Sequence, residues 1–124
     1  IHKNIKMKEI KIKRIYDAPS DDDGYRVLVD RIWPRGVSKA KAQIDEWNKE
    51  VTPSTELRKW FDHKAERYDE FSSLYREELL NQTEELDRIR TIANSQNVTL
   101  LYAAKDPLIN HARILLSFIL KNEI

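Results

Sequence analysis

At 124 residues and 40% hydrophobic content, the chain holds one domain's worth of sequence, enough to bury most of the surface it would expose unfolded. Its 22 basic and 21 acidic residues leave a formal charge of +1, which argues against strong whole-molecule attraction to nucleic acid or an anionic membrane. With no cysteine there is no disulfide or thiolate chemistry, a composition that fits a cytoplasmic compartment, and no apolar stretch approaches the roughly 20 residues that span a bilayer.

Residues 1–6 read as a tag remnant or disordered terminus, with Met7 as the native start and 7–124 as a single α/β domain. The first strand is expected over 9–15, where Ile10 and Ile12 share one face and Lys11 and Lys13 the other. Lysines discourage pairing with other chains, so this segment reads as an edge strand. The competing reading is a nucleic-acid arm of Lys3, Lys6, Lys8, Lys11, Lys13 and Arg14, which lacks interleaved aromatics for stacking bases.

After a turn-rich acidic loop, residues 26–32 are apolar on both faces, as in a central strand covered on two sides. A short strand is expected at 44–47 and a second fully buried one at 98–104. Helices fill the interval. Thr52-Pro53-Ser54 opens one carrying Leu57, Trp60 and Phe61. Ala65, Tyr68, Phe71, Tyr75 and Leu79 repeat at helical spacing and belong to the core, and Asn81-Gln82-Thr83-Glu84 is a capping box for a helix burying Leu86, Ile89 and Ala93. The last helix is expected to be capped by Asp106, with Pro107 in its first turn and Leu108, Ile109, Ala112, Leu115, Leu116 and Ile119 on its apolar face. Strands interspersed with helices define an α/β fold: one compact domain, a small largely parallel sheet flanked by helices in Rossmann-like or flavodoxin-like layering. Strand order does not follow from the sequence.

The two apolar runs end in matching chemistry. One leads into Asp30-Arg31-Ile32-Trp33-Pro34-Arg35-Gly36, the other into Lys105-Asp106-Pro107 and a helix. If these strands are parallel neighbours, Arg31, Arg35 and Lys105 meet on one sheet edge and surround an anion at the positive end of the last helix, with Asn110 and His111 one turn along. Trp33 would form an apolar or stacking wall. Each residue also has an ordinary role: Asp30 in an ion pair, Asp106 as a cap, Trp33 in the core, Lys105 as a loop cation.

His63 is a general base or a cation ending its helix, and His111 a neutral imidazole able to accept a proton. The proton-transfer candidates are thus Asp30, His63 and His111. Three isolated histidines and no cysteine supply no zinc ligand set, and two glycines, Gly24 and Gly36, make no phosphate loop or dinucleotide fingerprint, so no metal or cofactor is read. The favoured reading is a small-molecule enzyme or binding protein for a phosphate- or carboxylate-bearing ligand. The alternatives are nucleic-acid binding through the basic N-terminus with Arg31 and Arg35, and a partner-binding module with an aromatic patch of Trp33, Trp47 and Trp60.

The stretch from Arg26 to Gly36, then Trp47 and Lys49, Pro53-Ser54, Leu57-Arg58-Lys59-Trp60-Phe61 with His63, Tyr75, Glu78 and Leu79, and finally Val98 to Asp106 with Asn110-His111-Ala112, resembles the YeaO-like proteins of the domain-of-unknown-function family 488. The resemblance runs from Ile10 to the C-terminus. It implies a small bacterial or archaeal cytosolic α/β protein and names no substrate. By similarity Arg31, Trp33, Arg35, Arg58, His63, Lys105 and Asn110 fall on the family's polar and aromatic motif positions. Two positions depart: Tyr68 stands where tryptophan is expected, and Pro107 replaces a polar residue, implying a stiffer entry to the last helix and casting doubt on any role for a polar side chain there.

Overall fold

The computed structural model describes residues 8–121, which form four strands and five α-helices. In chain order these are β1 (Ile10–Arg14), β2 (Tyr25–Leu28), α1 (Lys39–Ala42), β3 (Glu46–Trp47), α2 (Thr55–Phe61), α3 (Tyr68–Leu79), α4 (Thr83–Ile92), β4 (Val98–Tyr102) and α5 (His111–Lys121). Short 3-10 turns occupy Asp21–Asp23 and Ala65–Arg67. The sheet runs β1-β4-β2-β3 and every pairing is parallel. β1 therefore takes the edge expected of it, and the apolar strands β2 and β4 are central neighbours.

Side-chain alternation sorts the sheet into two unlike faces. Ile10, Val27, Val29, Val98, Leu100 and Tyr102 point to the main core, where α2 to α5 supply Phe61, Phe71, Tyr75, Leu86, Ile89, Leu115 and Ile119. Leu28 and Leu101 point the other way, with Ile15 from just beyond β1, into a smaller cluster closed by Ala42 of α1, Trp33, Val37 and Ile44. The same face carries charge. The segment between β1 and β2 crosses β4 without a helix and delivers Asp23, fully buried, to Lys13 at 3.0 Å, Lys11 at 3.6 Å and Arg26. Thr99 donates to the Asp23 carbonyl at 2.7 Å. Lys11 and Lys13 are thus half-buried partners of a carboxylate, where the alternation alone implied a solvated face.

Four local expectations are corrected. The apolar run of 26–32 stays in the sheet only to Leu28; Val29 adds one bond to the Leu101 carbonyl and the chain then turns away, leaving Ile32 58% exposed. Ala65 lies in a 3-10 turn ahead of α3. α4 begins at Thr83 after Gln82 with no side-chain cap, so the Asn81 to Glu84 box does not form. The last helix starts at His111, five residues after Asp106. Asp106 Oδ1 instead accepts from the Leu108 and Ile109 amides in a bend, while Asn110 Oδ1 accepts from the Arg113 N–H and caps α5. Pro107, Leu108 and Ile109 belong to that bend.

Candidate functional site

Because β2 and β4 are parallel neighbours, the loops leaving their carboxyl ends emerge together, and side chains tie them in place. Asp30 Oδ2 accepts from the Ala103 amide at 3.0 Å, joining the loop after β2 to the end of β4. Trp47 Nε1 donates to the Asp30 carbonyl at 2.7 Å, and Arg31 donates to the carbonyls of Pro53 at 3.1 Å and Lys49 at 3.4 Å. From β1, Arg14 reaches the Ala103 and Ala104 carbonyls at 3.2 and 2.9 Å. Main-chain groups at strand ends that would otherwise lie unpaired are satisfied this way, and the loops become a fixed rim.

Within that rim lies a cavity of about 770 Å³, in the range of small-molecule sites. Its lining includes Asp30, Arg31, Trp33, Arg35, Arg58, His63, Lys105, Asn110 and His111, so the fold brings together all nine residues singled out in the sequence. Phe61, Phe71 and Ile109 give it apolar wall, and Tyr16 joins from just beyond β1. Sequence reasoning placed Phe61 and Phe71 in the core, which they also serve; Tyr16 was missed. The end of β1 had to share this edge in any parallel sheet, which was the available signal.

The nine differ in what they leave free. Arg31 spends its Nε and one amino group on loop carbonyls, so its fork braces the α2 entry. Trp33 donates Nε1 to the Val37 carbonyl at 2.7 Å and meets Trp47 edge-on at 5.3 Å, a fixed wall; Trp60 does not join them and instead carries Arg67 over its ring at 5.3 Å. Asn110 is committed at both ends, its Nδ2 donating to the Asp106 carbonyl at 2.8 Å besides the cap. Arg58 has a buried Nε with no hydrogen-bond partner. Among the described residues, Arg31, Arg35, Arg58 and Lys105 make no ion pair.

His111 sits deeper, its side chain 17% exposed and its Nε2 2.7 Å from the Val29 carbonyl and 3.2 Å from Asp30 Oδ1. A carbonyl only accepts, so Nε2 carries the proton and Nδ1 is the basic nitrogen of the neutral ring. His63 does not end its helix: Asp62 is the C-cap, and Asp62 and His63 both take left-handed backbone, φ 50° and 56°. That conformation costs an L-residue roughly 1–2 kcal/mol. It carries His63 beside Phe61, ring centroids 6.1 Å apart, at the cavity wall.

The basic segment of the N-terminus has other partners. Lys11 and Lys13 pair with Asp23, and Arg14 holds the end of β4, while Lys3 and Lys6 lie outside the described residues. No helix of the described residues is long and apolar enough to cross a membrane.

Comparison with known proteins agrees with the motif pattern. A family model described as the inactive DUF488-N3 subclade matches residues 9–123. The chain belongs to the domain-of-unknown-function family 488. Within the DUF488 family, it is 49% identical over 106 residues to Uncharacterized protein YeaO of Escherichia coli K12, an alignment covering 86% of this chain and 92% of that relative. It is 42% identical over 106 residues to Uncharacterized protein Rv3073c of Mycobacterium tuberculosis H37Rv and, equally, to Mb3100c of Mycobacterium bovis, covering 86% of this chain and 89% of each. No solved structure matches the chain. The DUF488 assignment bears out the resemblance drawn from the motifs, and spans the strand ends, the cavity and the last helix.

Proposed function

We propose that the protein binds a small anionic molecule, bearing a phosphate or a carboxylate, in the cavity at the carboxyl ends of β2 and β4. The observation that carries this is the gathering of Arg31, Arg35, Arg58 and Lys105 around one cavity with no ion-pair partner among the described residues. Like charges brought together repel, and an anion between them offsets that repulsion. The carboxylates nearby are engaged otherwise: Asp106 caps a bend and Asp30 accepts from the Ala103 amide and faces His111. Arg35 and Arg58 supply the ligand fork, since Arg31 is braced against the main chain. Trp33, Phe61 and Ile109 provide apolar wall for the body of the ligand, and Asn110 shapes the cavity through the α5 cap.

Asp30, His63 and His111 are the groups positioned to move a proton, as an enzyme acting there would require. The family model's description of its subclade as inactive favours binding without turnover. The nucleic-acid reading loses support from the internal partners of Lys11, Lys13 and Arg14.

Titration calorimetry with inorganic phosphate and with sulfate tests the proposal. Saturable binding is expected, weakened about tenfold or more in Arg58→Ala and in Arg35→Ala, the loss associated with a hydrogen bond to a charged group. Affinity unchanged in both variants, or no binding to the parent protein, overturns it.

A further inference from the structure

Resting on that reading of the cavity, we infer that its ligand is a hydroxylated anion, and that His111 selects the hydroxyl. The argument starts from the tautomer. His111 opens α5, where the Asn110 cap fixes the backbone and the ring turns back under β2. There Nε2 meets two acceptors, the Val29 carbonyl at 2.7 Å and Asp30 Oδ1 at 3.2 Å. The carbonyl, which only accepts, requires a proton on Nε2, and the nearby carboxylate oxygen, which makes no hydrogen bond, favours that proton electrostatically. The edge of the ring lies against Tyr75, centroids 6.3 Å apart, so packing as well as hydrogen bonding holds the imidazole in one orientation.

In its neutral form a ring held this way has one lone pair left, on Nδ1. That atom makes no hydrogen bond within the described residues and is not among the buried unpartnered atoms, on a side chain that lines the cavity. Its neighbours sharpen its meaning. Arg31, Arg35, Arg58 and Lys105 are all donors, and the Asp30 oxygen that faces the histidine is itself buried beneath it. Nδ1 therefore differs in kind from the cations: it accepts. An anionic group alone satisfies the cations and leaves Nδ1 without a donor; a molecule carrying a hydroxyl beside its anionic group satisfies both. Phosphorylated polyols and sugars are the ligand class that combines these features with a body suited to about 770 Å³.

Two phosphate monoesters of equal charge separate the contributions. Methyl phosphate carries no hydroxyl on its ester group and reads the cations; glycerol 3-phosphate adds hydroxyls. The protein is expected to bind glycerol 3-phosphate about five- to tenfold more tightly, the gain from one well-placed hydrogen bond. In His111→Gln the side-chain amide can still donate to the Val29 carbonyl, and the ratio of glycerol 3-phosphate to methyl phosphate affinity is expected to collapse towards unity. A proton–nitrogen correlation spectrum of the unmodified protein gives an independent reading: His111 in the Nε2–H form, its Nδ1 resonance moving with glycerol 3-phosphate and not with methyl phosphate. Equal affinities in the parent protein, a preference that survives in His111→Gln, or a still Nδ1 resonance overturns the assignment to His111 and leaves the anion site standing. No binding of either ester removes the anion site itself.

Discussion

Asp23 shows how one residue can reverse the meaning of its neighbours. Burial pushes its carboxyl group up the scale, but the Ser20 amide, Lys13 and Arg26 together outweigh that and hold its pKa down to about 2, from 3.8. A carboxyl group depressed in the folded state contributes stability that is present in full above its unfolded value and is lost as pH falls through the folded one. The window here runs from about pH 4 down to about pH 2. Asp23→Asn is expected to cost about 3–5 kcal/mol near neutral pH, because it strands the buried Arg26 beside the half-buried Lys11 and Lys13. Urea unfolding at pH 6 and at pH 2.5 checks this: the gap between parent and variant should narrow at the acid end, and a gap independent of pH would contradict it. None of this was legible in the sequence, where Asp23 is one of three consecutive aspartates in a loop and Lys11 and Lys13 alternate with isoleucine as solvated residues do. Which aspartate goes inside depends on where the crossing segment lands, and that is a tertiary fact.

Among the elements, strands and helices with a strong apolar period were legible and their ends were not. Phe71, Tyr75 and Leu79 bury as their spacing requires, and β4 emerges from an apolar run interrupted only by the buried Thr99. The last helix illustrates the failure. Asp106-Pro107 has the composition of a helix start, and Asp106 does collect two amides, but the turn it stabilises ends in a bend and Asn110 begins the helix. Two capping residues four positions apart competed, and packing chose the one that is 2% exposed and whose side chain also ties back to the Asp106 carbonyl. Asn110→Ala should therefore destabilise the fold by about 1–2 kcal/mol, the upper part of the range for a lost N-cap. Asp106→Ala, in an exposed bend, should cost less than half of that. Thermal unfolding of the two variants decides, and the reverse order would mean that the bend, not Asn110, holds α5. The cavity was more legible than these boundaries because seven of its nine candidate residues follow two strand ends, which a parallel sheet must bring together wherever the next helix begins, while Arg58 and His63 come from α2 and the turn after it.

At the scale of the whole molecule, strand order escaped the sequence because both β2 and β4 read as buried strands and either could have sat beside β1. The order β1-β4-β2-β3 puts the last strand of the chain between the first two. Gly24, with φ 63°, makes the crossing possible: a Cβ there would lie 2.1 Å from the Asn97 carbonyl oxygen, just ahead of β4. The strands on either side of β4 are therefore synthesised about seventy (β2) and about eighty-five (β1) residues before the strand that joins them. Until residues 98–102 are available, β1 has no partner in the sheet, β2 has only the two-residue β3, and the loops that will wall the cavity have nothing to close against. Such non-local pairing slows folding and leaves open strand edges for a time. A nascent chain arrested before residue 98 is expected to show no hydrogen-exchange protection in β1, and protection there would mean that the early strands find another partner. The sheet closes at its middle, so the edges of β1 and β2 that β4 will fill stay open until that single five-residue strand is made, and the growing chain's exposure to holdase chaperones is set by that wait.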